Sequence, residues 1–184
     1  MSGGTIRFRL NWNKAIEAIV WLAKQRPGIS FFQISKILFY ADKAHVQLYG
    51  RPVLGDTYIA MEHGPVPLGV RDLLTAAKFL DPDLLEQSVE AFTVEQGRVP
   101  KAVANREPDL QQFSESDLAC LQEAFDKYVN MSFGRLRDLT HRERAWNEAP
   151  TNGAMDYTLM IEEDAENRDA LIQEIRESAA YLVM

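Results

Sequence analysis

The stretch from Ile37 to Leu74 constrains the fold of this chain more than any other part of the sequence. It begins as an apolar and aromatic segment, turns at Gly50-Arg51-Pro52, and continues as a strand-like piece from Asp56 to Met61. It then breaks at His63-Gly64-Pro65 and enters a helix at Pro67. Proline suits the first turn of a helix but removes a donor from a sheet, so these prolines predict an end to interior sheet pairing. The stretch predicts a specified scaffold with an aromatic face and a rigid corner.

Capping signals predict two long helices near the N-terminus. Asn11 or Asn13 caps a helix that runs to about Gln25. Ser30 and Gln33 form a capping box, which opens a second helix through about Tyr49, with Gly50 as its C-terminal residue. Apolar and aromatic side chains cover more than one side of this second helix. It is therefore expected to lie at the centre of the fold.

The remaining elements are predicted from periodicity and turn signals. They are an arm or short strand at 5–10, helices at 67–79 and 82–87, a hairpin of 89–95 and 98–104, helices at 114–129 and 133–141, and a turn at 144–148. A flexible joint is expected at 150–157, followed by an acidic helix from about Ile161.

These elements predict a single α+β domain that is mainly helical, with a small antiparallel β-sheet and a C-terminal helix. Three segments are expected along the chain. They are an N-terminal arm or short strand at 1–12, the main domain at 13–150, and a linker with an acidic helix at 151–184.

Charge and cysteine content narrow the class of function. The net charge is -7 and the pI is about 5.0, which disfavours nucleic acid as a partner. Residues 1–55 carry eight Lys or Arg against two acids, whereas the remainder carries 12 against 25. Cys120 is the only cysteine, so a reducing compartment and a cytoplasmic location are expected. No apolar run has the roughly 20 residues of a membrane helix, so no membrane association is expected.

The histidines are the candidate metal-binding or catalytic groups. His45, His63 and His141 are far apart, and none has a second His or Cys three or four residues away, as structural metal sites usually have. Asp42 precedes His45 by three positions on one helix face, where a carboxylate can orient an imidazole. No nucleophile elbow accompanies them. The sequence therefore favours a binding module without catalytic residues, metal or cofactor, and a His-site metal-dependent enzyme is a less favoured alternative.

The order of two helices, a strand and a hairpin also permits a winged helix-turn-helix. In that alternative the second helix would enter the major groove of DNA. It offers Gln33, Lys36, Lys43 and Gln47 to base edges, but most of its other side chains are aromatic or aliphatic. A DNA-binding regulator is therefore kept as the alternative function, behind protein binding.

Two segments resemble a known family. The run ILFYADKAHVQLYGRPVLGDTYIAMEHGPVP resembles the hallmark of the Panacea domain family, which includes SocA-like antitoxins and phage-associated GepA-like proteins. Residues 132–146, with Leu-Thr-His followed by Ala-Trp, resemble the second signature of that family. The resemblance covers roughly residues 13–150 and leaves the N-terminal arm and the acidic tail outside.

The resemblance implies an antitoxin, a small cytoplasmic protein that neutralises a cognate toxin protein by direct association. It also allows a mode in which the chain delivers the toxin to a cytoplasmic protease. Interfaces favour aromatic and arginine side chains, although most signature positions can equally define the fold. Taking motif and residue type together, we expect the partner-binding surface to include Tyr40, Tyr49, Arg51, Asp56, Tyr58, His63, His141 and Trp146.

Overall fold

Two long helices open the fold in the computed structural model, which describes residues 6–181. Helix α1 (Trp12–Gln25) starts after Asn11, whose side chain accepts a hydrogen bond from the Lys14 N–H. Helix α2 (Phe31–Tyr49) starts at the predicted capping box. Both helices are confirmed. Residues 1–5 of the predicted arm and 182–184 of the predicted C-terminal helix lie outside the described residues.

Helix α2 is the centre of the domain. Eleven of its 19 residues are buried, and it ends at Gly50, whose φ of +64° is the left-handed conformation that glycine adopts without strain. A Cβ on Gly50 would meet the side chain of Glu174 at 2.6 Å. Glycine is therefore required here both by the backbone angle and by the close approach of the C-terminal segment.

The strands form two small antiparallel sheets. The first has the order β1 (Ile29–Ser30), β5 (Lys101–Ala104), β4 (Phe92–Glu95), and the second pairs β2 (Tyr58–Met61) with β3 (Gly64–Pro67). The β4–β5 hairpin confirms the predicted one, although its first strand starts later because residues 89–91 belong to a helix. The fold is thus mainly helical with small antiparallel sheets, as the sequence predicts.

Strand β3 contains both Pro65 and Pro67, but it lies at the edge of its sheet, so the prediction that they exclude interior sheet pairing is not contradicted. Pro65 pairs with Ala60 and Pro67 pairs with Tyr58. The turn between the strands has two residues, so the flanking pair is hydrogen-bonded and the prolines occupy the alternate positions, where an N–H would point away from β2. Proline is accepted in β3 because β3 is an edge strand.

The remaining helices follow the predicted order with shifted boundaries. They are α3 (Leu68–Leu74), α4 (Pro82–Ala91), α5 (Glu115–Tyr128), α6 (Phe133–Thr140), α7 (Arg144–Asn147) and α8 (Arg168–Tyr181), with 3₁₀ turns at Leu110–Gln112 and Tyr157–Met160. Helix α3 ends earlier than predicted because Ala76 adopts a positive φ of 47°. The N-terminal arm is extended and buries Phe8.

Residues 150–157, predicted to be a flexible joint, pack into the domain. The Met155 N–H donates to the Tyr58 carbonyl at 2.9 Å, and the Ala60 N–H donates to the Gly153 carbonyl at 2.9 Å. Met155 and Tyr157 are buried. The segment therefore lies beside β2 and forms backbone hydrogen bonds with it. The acidic helix that follows starts at residue 168 instead of the predicted 161.

A lysine is enclosed where α2 crosses β3. The Lys36 Nζ donates to the Pro65 carbonyl at 2.8 Å and lies 5.0 Å from the centroid of the Phe32 ring. Among residues 6–181 no carboxylate forms an ion pair with it. Burial lowers the pKa of Lys36 from 10.5 to about 7.

This burial predicts a pH dependence of stability. Lys36 binds a proton more weakly in the folded state than in the unfolded chain, so the free energy of unfolding should rise between about pH 7 and pH 10. The slope from this group approaches about 1.4 kcal/mol per pH unit. Lys36→Met should remove that slope in urea titrations, whereas Lys127→Met, at an exposed helical position, should retain it. A wild-type stability that does not change over this range would contradict the assignment.

Candidate functional site

The eight residues predicted to contact a partner fall into three groups. Tyr40, Asp56 and Tyr58 are buried; Tyr49 and Arg51 lie at the C-terminal end of α2; His63, His141 and Trp146 lie around the β2–β3 turn. Helix α2 is roughly 28 Å long. Near its N-terminal end, Phe32 lies beside Phe133, which in turn lies beside His63. The structure therefore does not bring the predicted residues together on one surface.

A buried carboxylate joins three parts of the chain. The Asp42 Oδ1 accepts hydrogen bonds from the backbone N–H groups of Val53 and Leu54 at 2.8 and 2.9 Å. Its Oδ2 accepts from the Tyr58 hydroxyl at 3.0 Å and lies 3.3 Å from the Tyr157 hydroxyl oxygen. Asp42 thus holds the turn after α2, strand β2 and the C-terminal segment against one another. We call Asp42, Asp56, Tyr58 and Tyr157 the Asp42 cluster.

Asp56 extends this cluster to α3. Its carboxylate accepts from the N–H groups of Gly69 and Val70, both at 2.9 Å, and so caps the start of α3. The Tyr157 hydroxyl donates to the Asp56 carbonyl at 2.7 Å. Burial raises the pKa of both Asp42 and Asp56 to about 6, against the opposing effect of these hydrogen bonds. All four residues are buried, and the cluster serves the fold.

The pairing of Asp42 with His45 that a His-site enzyme could use is not formed. The His45 Nδ1 lies 2.8 Å from the Arg51 carbonyl, and its Nε2 lies 2.9 Å from the Ser116 hydroxyl. The imidazole is fully buried, and burial lowers its pKa. His45 therefore belongs to the contact between α2 and α5, away from the carboxylate predicted to orient it.

Arg51 is held by a second buried carboxylate. Its Nη1 lies 3.0 Å from the Asp117 Oδ1, and the Lys14 Nζ lies 2.7 Å from the Asp117 Oδ2. Burial of Asp117 opposes ionisation, but the hydrogen bond from Lys14 and the nearby cations lower its pKa below the usual range. Arg51 is therefore held by an ion pair within the domain. Of Tyr49 and Arg51, Tyr49 is the one that is substantially exposed.

Tyr40 is buried and lines a cleft between α2 and α5. Its ring stacks on that of Tyr128, with centroids 4.1 Å apart. The cleft, of about 340 Å³, also contains Lys43, whose Nζ pairs with Glu143 at 2.6 Å and Glu162 at 2.8 Å. Burial and the neighbouring Glu143 raise the pKa of Tyr40, so its hydroxyl stays neutral. Lys43, Glu143 and Glu162 in this cleft are thus already paired within the chain.

An accessible aromatic surface surrounds the β2–β3 turn. The exposed Phe133 ring lies 5.3 Å from His63 and 4.3 Å from Phe32. His141 stacks on Trp146 at 4.0 Å, and the Trp146 Nε1 donates to the carbonyl of Met61 at 3.0 Å. We call His63, Phe133, His141 and Trp146 the turn patch.

Phe133 was not among the residues predicted to contact a partner. A signal for it exists in the sequence. Ser132 caps α6, and its side chain accepts from the Arg135 N–H. The cap places a large apolar residue in the first turn of the helix, although the cap alone does not predict that this residue is exposed. Phe133 is 48% exposed.

The alternative functions meet specific obstacles in the structure. Within α2 only Leu48 and Tyr49 are exposed, so the helix predicted to read DNA has no open face for a major groove. Among the described residues, no group of three or more His, Cys, Asp or Glu side chains is arranged to hold a metal ion. No helix between residues 6 and 181 combines the length and the apolar character needed to cross a bilayer.

The Asp42 cluster predicts a large loss of stability on its removal. Asp42→Ala leaves the buried N–H groups of Val53 and Leu54 and the Tyr58 hydroxyl without their acceptor, at about 1–3 kcal/mol for each unsatisfied group. We expect the free energy of unfolding in urea to fall by about 3 kcal/mol or more. Asp138→Ala, at an exposed position, should change it by less than about 0.5 kcal/mol. Equal effects of the two variants would contradict the structural role of Asp42.

Comparison with known families agrees with this arrangement. A family model described as antitoxin SocA-like, Panacea domain, matches residues 34–147. The match spans most of α2 through α7, more than half of the chain, and includes both the β2–β3 hairpin and the Leu-Thr-His and Ala-Trp segment. Comparisons with curated proteins and with solved structures returned no match. The chain therefore belongs to the antitoxin SocA-like, Panacea domain family.

Proposed function

We propose that this chain is an antitoxin that binds a toxin protein directly and so neutralises it. The observation that carries the proposal is its membership of an antitoxin family over residues 34–147. Neutralisation by direct contact requires an accessible surface and no covalent chemistry by the chain itself. We therefore assign it a binding role without catalysis.

The turn patch is the contact surface that the geometry supports best. His63 and Phe133 are exposed, and His141 and Trp146 are half-buried beside them. Aromatic side chains supply large contact areas at the centres of interfaces. Met61 and Pro65 hold the hairpin through their carbonyls, which accept from Trp146 and Lys36. The turn is thus rigid before a partner arrives, which lowers the entropy cost of binding.

The other predicted contact residues take different roles in this proposal. Tyr49 lies beside Leu48 at the opposite end of α2, and both are exposed, so Tyr49 stays a predicted contact. Tyr40, Asp56 and Tyr58 are buried and support the surface from within the domain. A cytoplasmic location, and delivery of the bound toxin to a cytoplasmic protease, remain predictions of the family resemblance.

Co-expression with the product of the adjacent gene tests the function. That product should arrest growth alone and be harmless together with this chain. If it is harmless alone, or arrests growth equally in both cases, the antitoxin proposal fails.

A single substitution tests the turn patch. Phe133→Ser should weaken the complex by about tenfold or more, because an aromatic anchor is lost. Leu110→Ser is the matched control, since Leu110 is also 48% exposed but lies away from the patch. The measurement is the dissociation constant of the purified complex, with thermal unfolding to show that both variants fold. If the wild-type chain protects cells and Phe133→Ser binds the toxin as tightly as the wild type, the turn patch is not the contact surface. The proposed antitoxin function is not affected by that result.

A further inference from the structure

An apolar groove lies between the N-terminal arm, α3 and the start of α4. Its volume is about 480 Å³, and it is separate from the turn patch. The apolar side chains that line it include Phe8, Leu10, Trp12, Leu68, Phe79 and Leu84. Phe79 is 75% exposed, the highest value for a large apolar side chain among the described residues. Exposed apolar surface of this kind, next to a concave site, is typical of an interaction site.

The charged groups that line the groove have one sign. Four aspartates line it, Asp56, Asp72, Asp81 and Asp83, and no lysine or arginine does. Asp56 caps α3, and Asp72 pairs with the neighbouring Arg71. Asp81 and Asp83 are exposed at the rim, beside Phe79 in the chain. The groove therefore combines an apolar floor with an acidic rim.

The walls of the groove are already in place without a ligand. A Cβ on Gly69 would clash with the side chains of Leu10 and Trp12, so the arm lies directly on α3. The Leu68 N–H donates to the Thr57 carbonyl at 2.9 Å, which ties the groove floor to the base of the β2–β3 hairpin. A preformed site of this kind costs a partner little ordering of the chain.

We propose that this groove binds a segment of the toxin protein in which an apolar anchor is flanked by lysine or arginine. The inference rests on the proposed antitoxin function and adds the chemistry of the partner. The apolar anchor matches the floor beside Phe79, and the basic residues match Asp81 and Asp83. Binding of a second copy of this chain is disfavoured, because the acidic rims of two chains with a net charge of -7 would repel.

The groove and the turn patch lie at opposite ends of one hairpin. Thr57 and Leu68 flank its open end, and His63 lies at its turn. Strands of four residues separate the two sites by roughly 14 Å. A partner whose contact surface spans this distance touches both sites, and the groove adds a charge-selective contact to the aromatic one.

Two groove variants and two controls test the inference. Phe79→Ser removes an exposed apolar side chain of the groove, and Asp83→Lys reverses a charge at its rim. Val89→Ser and Glu86→Lys make comparable changes on α4 outside the groove, where Val89 is 62% exposed and Glu86 is exposed. The dissociation constant of the full chain with the product of the adjacent gene is measured at low and high salt. Each groove variant should weaken binding by about tenfold or more, and neither control should.

Salt and folding controls sharpen the test. Asp83→Lys should also reduce the salt dependence of binding, since it removes an attraction that salt screens. A lysine in the first turn of α4 opposes the helix dipole, so Asp83→Asn serves as a second variant that removes the charge without reversing it. Thermal unfolding shows whether each variant folds.

The outcomes separate this inference from the proposed function. If the wild-type chain protects cells and all variants bind as it does, the groove is not the contact and only this inference falls. If the wild-type chain neither binds nor protects, both fall. If Phe79→Ser changes the oligomeric state of the isolated chain and leaves toxin affinity intact, the groove joins copies of the chain and the inference is overturned.

Discussion

The hydrogen bonds of Asp42 determine where the β2–β3 hairpin sits. One carboxylate on α2 accepts from the backbone after the helix and from Tyr58 on β2, and it contacts the Tyr157 hydroxyl of the C-terminal segment. Phe8 of the N-terminal arm packs on Tyr157, with ring centroids 5.0 Å apart. Phe8 and Tyr157 both lie outside the residues matched by the family model. Segments beyond the family domain therefore complete the core around a residue of its first signature.

The buried charged groups differ in their hydrogen-bond and ion-pair partners, and these partners determine the direction in which each pKa is shifted. Asp117 has Lys14 and Arg51 beside it, so its pKa is lowered despite burial. Asp42 has only neutral donors, and burial raises its pKa to about 6. Lys36 has a carbonyl and an aromatic ring, and burial lowers its pKa to about 7. Asp42 and Lys36 both tether the hairpin to α2, so its position depends on groups whose desolvation is only partly compensated.

Local signals predicted the helices well because a cap acts within a few residues. The Ser30–Gln33 box and Gly50 mark both ends of α2, and Ser114 and Ser132 mark the starts of α5 and α6. The prediction of a flexible joint at 150–157 is wrong because the contacts that hold this segment in the core join it to residues far away in the sequence. The contact of Tyr157 with Asp42 is an example. The local sequence pattern also does not predict which aromatic side chains are exposed to solvent. Tyr58 and Phe133 are both aromatic residues near a turn or cap, yet one is fully buried and the other exposed.

The hairpin is held mainly through its backbone, and this bears on how the domain recognises partners. The Trp146 Nε1 bonds the carbonyl of Met61, Lys36 bonds that of Pro65, and the Asp42 carboxylate accepts from two backbone N–H groups before the hairpin. None of these bonds uses the side chain of an exposed residue at the turn. Substitutions at His63 or in the exposed α3–α4 loop would therefore alter the contact surface while the hairpin keeps its support. A scaffold organised in this way can change its exposed surface without losing its fold.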